Sequence, residues 1–212
     1  MIFNTKIQGE CDKLITIYSY EWGKIYAIVP SAKKITAKLS YATEPLTESE
    51  FIVCSNSCSS IQPKVIGANI IKNNTKIKTD FNRTIYALYA TEISDRFTPI
   101  RLANIDKYNL ITRVWKLLEN CKYPKRTLIA FILRFLKLSG YTFSDYLKYN
   151  TTFIDKNIKK SINKLSNCSG NDLDLIEKLE DRKIWNCIET YITNYIRKPS
   201  LSIFMRKLNI YR

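Results

Sequence analysis

Apolar positions recur at period two through the first eighty residues and at a helical period afterwards, which predicts strands followed by helices. Ile2–Gln8 reads as a short first strand. In Lys13–Tyr20, Leu14, Thr16, Tyr18 and Tyr20 share one face, and Ile15 and Ile17 share the other. In Lys24–Pro30, Ile25, Ala27 and Val29 alternate with Tyr26 and Ile28. Gly23, after Trp22, supplies the positive φ that a short hairpin connection needs. Two further β-prone runs, Glu50–Cys54 and Ile61–Ile71, flank the turn-like stretch CSNSCSS. Pro45 and Pro63 suit edge or loop positions. Five short strands with short connections predict a small closed barrel.

From about residue 79 the period changes. Thr79–Phe97 reads as a helix, with Asp80 near its start and Pro99 beyond its end. Ile111, Val114, Trp115 and Leu118 follow i, i+3, i+4, i+7. Leu128, Ile132, Phe135 and Leu136 mark the next helix, closed by a C-cap at Ser139-Gly140. Ile184, Ile188, Tyr191, Ile192 and Tyr195 form a last stripe, stopped near Pro199. At this spacing the stripes are core rather than cofactor boxes. The expected fold class is α+β, with a β-barrel domain at 1–80 and an all-helical domain at 81–212.

Charge adds what periodicity cannot. Among 212 residues, 34 Lys and Arg against 19 Asp and Glu give a net charge of +15, which favours a polyanionic partner. The bland alternative is a solvated, lysine-rich surface. Residues 1–80 hold ten lysines and seven acids, so the helical part carries most of the excess, including Lys156, Lys159, Lys160 and Lys164.

The absence of histidine removes the commonest general base, the Ser-His and Cys-His dyads and every His-containing metal site. Of the six cysteines, only Cys54 and Cys58 are close, and no second pair completes a four-ligand zinc site. Reduced thiols in a cytosol are the expectation. MIFNTKIQGECD lacks the apolar core of a signal peptide, and no apolar run approaches the ~20 residues of a membrane span. A cytoplasmic, nucleoid-associated protein is expected.

The stretch GECDKLITIYSYEWGKIYAIVPSAKK resembles the N-terminal signature of the RecO family of recombination mediators. That signature is a Gly-Glu-x-Asp opening, a strand, Gly-Lys, a second strand and a small-residue, basic turn. Gly9, Glu10, Asp12, Gly23, Lys24, Ala32, Lys33 and Lys34 match it. AFILRFLKLSGY resembles the family's central helix ending in Leu-x-Gly-Tyr, through Arg134, Leu138, Gly140 and Tyr141. YITNYIRKPSLSIFMRKL resembles the closing helix and its Pro-x-x-Ser element, through Pro199 and Ser202. The resemblance implies an N-terminal OB-fold, a helical domain and no catalytic chemistry. It implies binding of single- and double-stranded DNA, annealing of complementary strands, and work with RecR. It also implies contact with the acidic C-terminal tail of single-stranded DNA-binding protein, so that RecA is loaded on gapped DNA. Two departures stand out. The four-cysteine zinc module of many members is absent, since Tyr141–Asp181 holds only Cys168, so no metal or other cofactor is expected. Pro30-Ser31 also replaces the glycine usual after the second strand.

On an OB-like barrel, cations track phosphates and aromatic rings stack on bases. Lys24, Lys33, Lys34 and Lys38 are the candidate cations. Tyr26 is the leading ring, with Tyr18, Tyr20 and Trp22 beside it; the alternative for each ring is core. A pocket for an acidic tail needs an apolar floor ringed by cations, for which Arg126, Arg134 and Arg197 are candidates. Their alternative is to cap helix ends or pair with acids. A nuclease reading rests on Asp172, Asp174, Glu177, Glu180 and Asp181, a set able to hold Mg²⁺. The alternative is one solvated helix face with Asp172 as N-cap. A peripheral membrane reading has one candidate helix, Ile154–Leu165.

Overall fold

The computed structural model describes residues 1–31, 39–55, 62–141, 143, 146–147, 155–168, 171–175, 181–195 and 199–201. The chain divides into two compact units. The first comprises Met1–Thr75 and Thr98–Tyr108; the second comprises Lys76–Phe97 and Asn109–Arg212.

Five strands build the first unit: β1 (Ile2–Gln8), β2 (Asp12–Ser19), β3 (Gly23–Val29), β4 (Glu48–Cys54) and β5 (Lys64–Lys72). They lie in the order β1-β2-β3-β5-β4, antiparallel except for β3 and β5, which meet in parallel at Ile28 and Lys64. This is the strand order of an OB-fold, whose barrel is commonly left partly open. Among the described residues no ladder joins β4 back to β1. The seam is bridged by a hydrogen bond from Ile2 N to Thr47 O at 3.1 Å, just ahead of β4.

The period-two pattern explains the interior. Ile15 and Ile17 of β2 pack with Ile25, Ala27 and Val29 of β3, together with Ile2 and Val65. Each such aliphatic side chain contributes about 1.5–3 kcal/mol when fully buried. The opposite face of the hairpin carries Thr16, Tyr18 and Lys24, and these are buried too. Its cover is the returning segment Thr98–Tyr108: Arg101 N donates to Lys24 O at 2.8 Å, and the Tyr18 hydroxyl donates to Asn104 O at 3.1 Å.

The second unit is helical. A single turn, α1 (Thr75–Lys78), leads into α2 (Phe81–Arg96), whose N-cap Asp80 accepts from Arg83 N at 3.1 Å. Then come α3 (Ile105–Leu118), which starts in the first unit, and α4 (Pro124–Leu138), with proline at its first turn. α4 ends as its sequence requires: Gly140 takes φ 84°, Tyr141 N donates to Leu136 O at 2.9 Å, and Gly140 N donates to Lys137 O at 3.1 Å. That is a Schellman closure. α5 (Lys156–Asn167) and α6 (Asp181–Thr193) complete the described helices. The stripes read from sequence are the core, with Ile111, Trp115, Leu128, Phe135, Ile184 and Ile188 all fully buried. Aromatic rings thicken it: Tyr191 meets Phe143 at 4.7 Å, Tyr146 at 4.9 Å and Tyr195 at 5.1 Å between centroids. Among the described residues, no helix is long and apolar enough to cross a membrane.

Candidate nucleic-acid interface

The β2–β3 hairpin positions the aromatic candidates. Its turn is closed by Trp22 N donating to Ser19 Oγ at 2.8 Å, and Gly23 follows at φ 69°. A Cβ at Gly23 would lie 2.3 Å from the Leu102 carbonyl oxygen, so close backbone approach and left-handed φ both demand glycine here. The turn thereby lifts Tyr20 and Trp22 out of the sheet, 47% and 54% exposed. Tyr20 rests edge-on against Tyr108 at 5.6 Å.

Trp22 is the wall shared by two openings. One, of about 610 Å³, is lined by Trp22, Tyr26, Val53, Pro63, Ile100 and Arg101, among others. The other, of about 450 Å³, includes Tyr20, Trp22, Phe51 and Tyr108, with Glu21 and Glu50 beside them. The first has apolar and ring surfaces, which suit a flat heteroaromatic ring, with Arg101 and the Glu21 carboxylate both on its lining. The second shares Glu21 with the first and adds Glu50, so its two carboxylates repel phosphate.

The other ring candidates separate by burial. Tyr26 is half-buried and lines the larger opening. Tyr18 is fully buried, stacks on Phe3 at 5.2 Å and is committed to Asn104, so it is core rather than a stacking platform. Burial pushes its hydroxyl up to about 12, against a smaller downward pull from the backbone hydrogen bond.

Of the lysines, Lys24 is buried at 7% exposure, aligned with Ile100 of the returning segment. A phosphate reaches little of such a side chain. Lys33, Lys34 and Lys38 lie outside the described residues. The chain leading into that stretch is fixed at Ser31, φ 54°, whose N–H donates to the Asp12 carboxylate at 2.8 Å.

Two of the three arginines expected at a tail pocket, Arg126 and Arg134, are engaged internally. Arg126 is buried, pairs with Asp181 at 3.2 Å and lies 4.1 Å over the Tyr123 ring. Arg134 donates to the carbonyls of Ser166 (3.1 Å), Leu165 (3.4 Å) and Cys168, closing the end of α5. Burial lowers its pKa, with the Arg113 charge adding to the effect. Arg197 lies outside the described residues.

Two of the five carboxylates, Asp174 and Asp181, serve structural roles. Asp172 and Asp174 belong to a short 3-10 turn, Asn171–Leu175, and Asp181 opens α6. Asp174 accepts from Lys122 N at 3.0 Å and Tyr123 N at 3.2 Å, capping the approach to α4. Glu177 and Glu180 lie outside the described residues. Among the described residues, no three Cys, Asp or Glu side chains gather as metal ligands do. The membrane candidate Ile154–Leu165 overlaps α5, whose Ile162 and Leu165 are buried.

Sequence reasoning missed Ile100 and Arg101. They follow Pro99 in a connection without periodicity, and only the long-range pairing with Lys24 brings them to the hairpin.

Comparison with known proteins bears directly on this arrangement. A model of the recombination protein O N-terminal region matches residues 1–67, and one of its C-terminal region matches 78–145. Curated relatives called DNA repair protein RecO include one from Dehalococcoides mccartyi, 27% identical over 63% of this chain and 51% of its own length. Another from Listeria monocytogenes is 28% identical over 62% of this chain and 50% of its own. One from Bacillus mycoides is 30% identical over 46% of this chain and 38% of its own. The chain spans about half the length of the curated relatives it matches. The N-terminal match spans β1–β4 and the start of β5, and the C-terminal match spans α2–α4, in that order along one polypeptide: the chain belongs to the RecO family.

Proposed function

We propose that this protein is a non-catalytic DNA-binding factor of recombinational repair. In this reading it binds single- and double-stranded DNA and anneals complementary strands. With RecR, it helps load RecA onto DNA coated by single-stranded DNA-binding protein. The observation that carries the DNA-binding step is the exposed Trp22 beside an apolar, ring-lined opening on an OB-ordered sheet, in a chain of net charge +15. Stacking on such a ring contributes about 1–3 kcal/mol per base and tolerates any sequence. Family membership supports the repair role, since the relatives are named as DNA repair proteins.

Within this proposal, bases contact Trp22 and Tyr26, and phosphates contact the lysines at 33, 34 and 38. Lys24 contributes by setting the hairpin against the returning segment. For the acidic tail of single-stranded DNA-binding protein, Arg126 and Arg134 contribute only by exchanging the partners they hold, which leaves Arg197 as the leading cation. The runner-up, a metal-dependent nuclease, loses support from the engagement of Asp174 and Asp181. A generic basic nucleic-acid-binding protein keeps the same interface without the repair partners.

Binding of fluorescent single-stranded DNA across a salt series tests the reading. Tight binding at low salt, steep weakening with salt and a loss of about 1–3 kcal/mol in Trp22→Ala are expected. A wild type that fails to bind ends the proposal. If the wild type binds but neither Trp22→Ala nor Lys33→Glu/Lys34→Glu/Lys38→Glu weakens it, the sheet is not the DNA site.

A further inference from the structure

Charge and burial divide sharply on α5. Ile162 and Leu165 are buried and Ile158 is half-buried, on the side that meets α4 and α6. The other side shows Lys156, Lys160 and Lys164, all exposed, at i, i+4 and i+8. Four residues of helix rise about 6 Å, so the three lysines form one slightly slanted row. Asn157, Asn163 and Asn167 stand exposed beside them. No acid occurs anywhere in Lys156–Asn167, and Asp155 at the N-cap is held by Asn157 N at 3.2 Å. Among the described residues, no carboxylate pairs with these lysines. An exposed lysine of α4, Lys137, lies by Asn163 and Asn167 around a cavity of about 220 Å³.

A solvated face is the ordinary fate of surface lysines, yet this row differs from one in its pattern. Like charges at i, i+4 destabilise a helix by about 0.2–0.5 kcal/mol per pair, and surface helices usually offset this with interspersed acids. Here two such pairs stand in sequence with no offset on the helix. The face also carries no aromatic or apolar group, so it has nothing with which to read bases or enter lipid. A helix that lies in a membrane surface turns its apolar side outward; α5 turns its own inward. What remains is a row of donors without acceptors, the chemistry of a phosphodiester contact.

We infer that the Lys156–Lys160–Lys164 face of α5 is a second contact for the sugar–phosphate backbone of DNA. The inference rests on the reading of this chain as a DNA-binding protein, and adds a surface beyond residue 145, where the family match ends. Contact at this face is indifferent to base sequence and holds single strands and duplex alike. Its free energy is almost wholly that of counterion release, about 0.7–0.9 of salt slope per phosphate.

The test compares the whole chain with Lys156→Gln/Lys160→Gln/Lys164→Gln, since glutamine matches lysine in helix propensity. Fluorescent single-stranded and duplex oligonucleotides are titrated from low to high salt. The expected result is a slope shallower by about 2–3 for the variant on both ligands, with affinity at low salt at least ~10-fold weaker. An unchanged slope overturns the inference and leaves the DNA-binding reading standing. A wild type that binds neither oligonucleotide overturns that reading and the inference with it. Flotation with vesicles containing anionic phospholipid is run alongside. Loss of vesicle binding with DNA binding intact assigns the row to lipid and overturns the inference. Acetylation of lysines on the wild type, with and without DNA, needs no variant. Protection of Lys156, Lys160 and Lys164 supports the contact, and unprotected lysines under saturating DNA reject it.

Discussion

Gly23 and Trp22 are neighbours with opposite obligations. Gly23 carries no side chain because the Leu102 carbonyl occupies that space and φ is positive. Trp22 is held out by the same turn. Gly23→Ala is therefore expected to cost at least ~1–3 kcal/mol from the left-handed backbone alone, with the clash added. The midpoint of denaturant unfolding reads this directly. Trp22→Ala, by contrast, is expected to leave that midpoint within about 0.5 kcal/mol, as an exposed substitution does, while weakening DNA. The need for glycine at position 23 was legible in the sequence as hairpin chemistry. Its second reason was not, because Leu102 is nearly eighty residues away. The same distance explains why Tyr18 and Tyr26, on paired strands, read alike. Only the covering segment decides which of them is sealed and which stays partly open.

Elements end where side chains tell them to, and some of those side chains come from far along the chain. Asp80 caps its own helix and Gly140 closes its own, so both boundaries were readable locally. Asp174 caps the approach to α4 from fifty residues away, and Arg134 closes α5 from α4. A local reading sees only loose charges. Glu92 of α2 does the same for the turn at Ser200. It accepts from Ser200 N at 2.8 Å, Ser200 Oγ at 2.6 Å, Leu201 N at 3.3 Å and Arg96 Nη2 at 2.6 Å. Burial pushes this carboxyl up, but the hydrogen bonds from Ser200, Arg96 and Leu201 outweigh it and lower its pKa. A carboxylate with a depressed folded pKa stabilises above its ordinary value, and that stability is lost as pH falls through the folded one. The Ser200 and Leu201 amides are therefore expected to lose exchange protection, relative to the core of α2, on acidification below the usual carboxylate range. Glu92→Gln is expected to remove that pH dependence and to cost about 1 kcal/mol after screening. Equal protection of these amides at acidic and neutral pH counts against the clamp.

For the whole chain, net charge and period were the readable quantities; period sufficed for the α+β architecture, and charge for the expectation of a polyanionic partner. They could not distinguish a cation in solvent from one held in an ion pair, as the engagement of Arg126 by Asp181 shows. The same limit applies to the carboxylates. Since Asp174 and Asp181 already serve as cap and ion-pair partner, incubation of the chain with single- and double-stranded DNA and Mg²⁺ is expected to give no cleavage. Products that appear with metal and vanish in Asp174→Ala/Asp181→Ala would restore the nuclease reading.

The returning segment Thr98–Tyr108 has a consequence for how the sheet is made. During synthesis all five strands exist once residue 72 has been added, but Tyr18 and Lys24 then lack the cover of Thr98–Tyr108. The first unit stays unfinished through the making of α2, so its hairpin waits with one face incompletely covered until the chain reaches Tyr108. A fragment cut at residue 80 repeats that interrupted moment permanently. It is expected to aggregate or melt without cooperativity, where the whole chain melts as a folded protein. The strands are thus translated before α2 and complete only after it, and a stall between residues 72 and 108 leaves them where any chaperone or protease finds them.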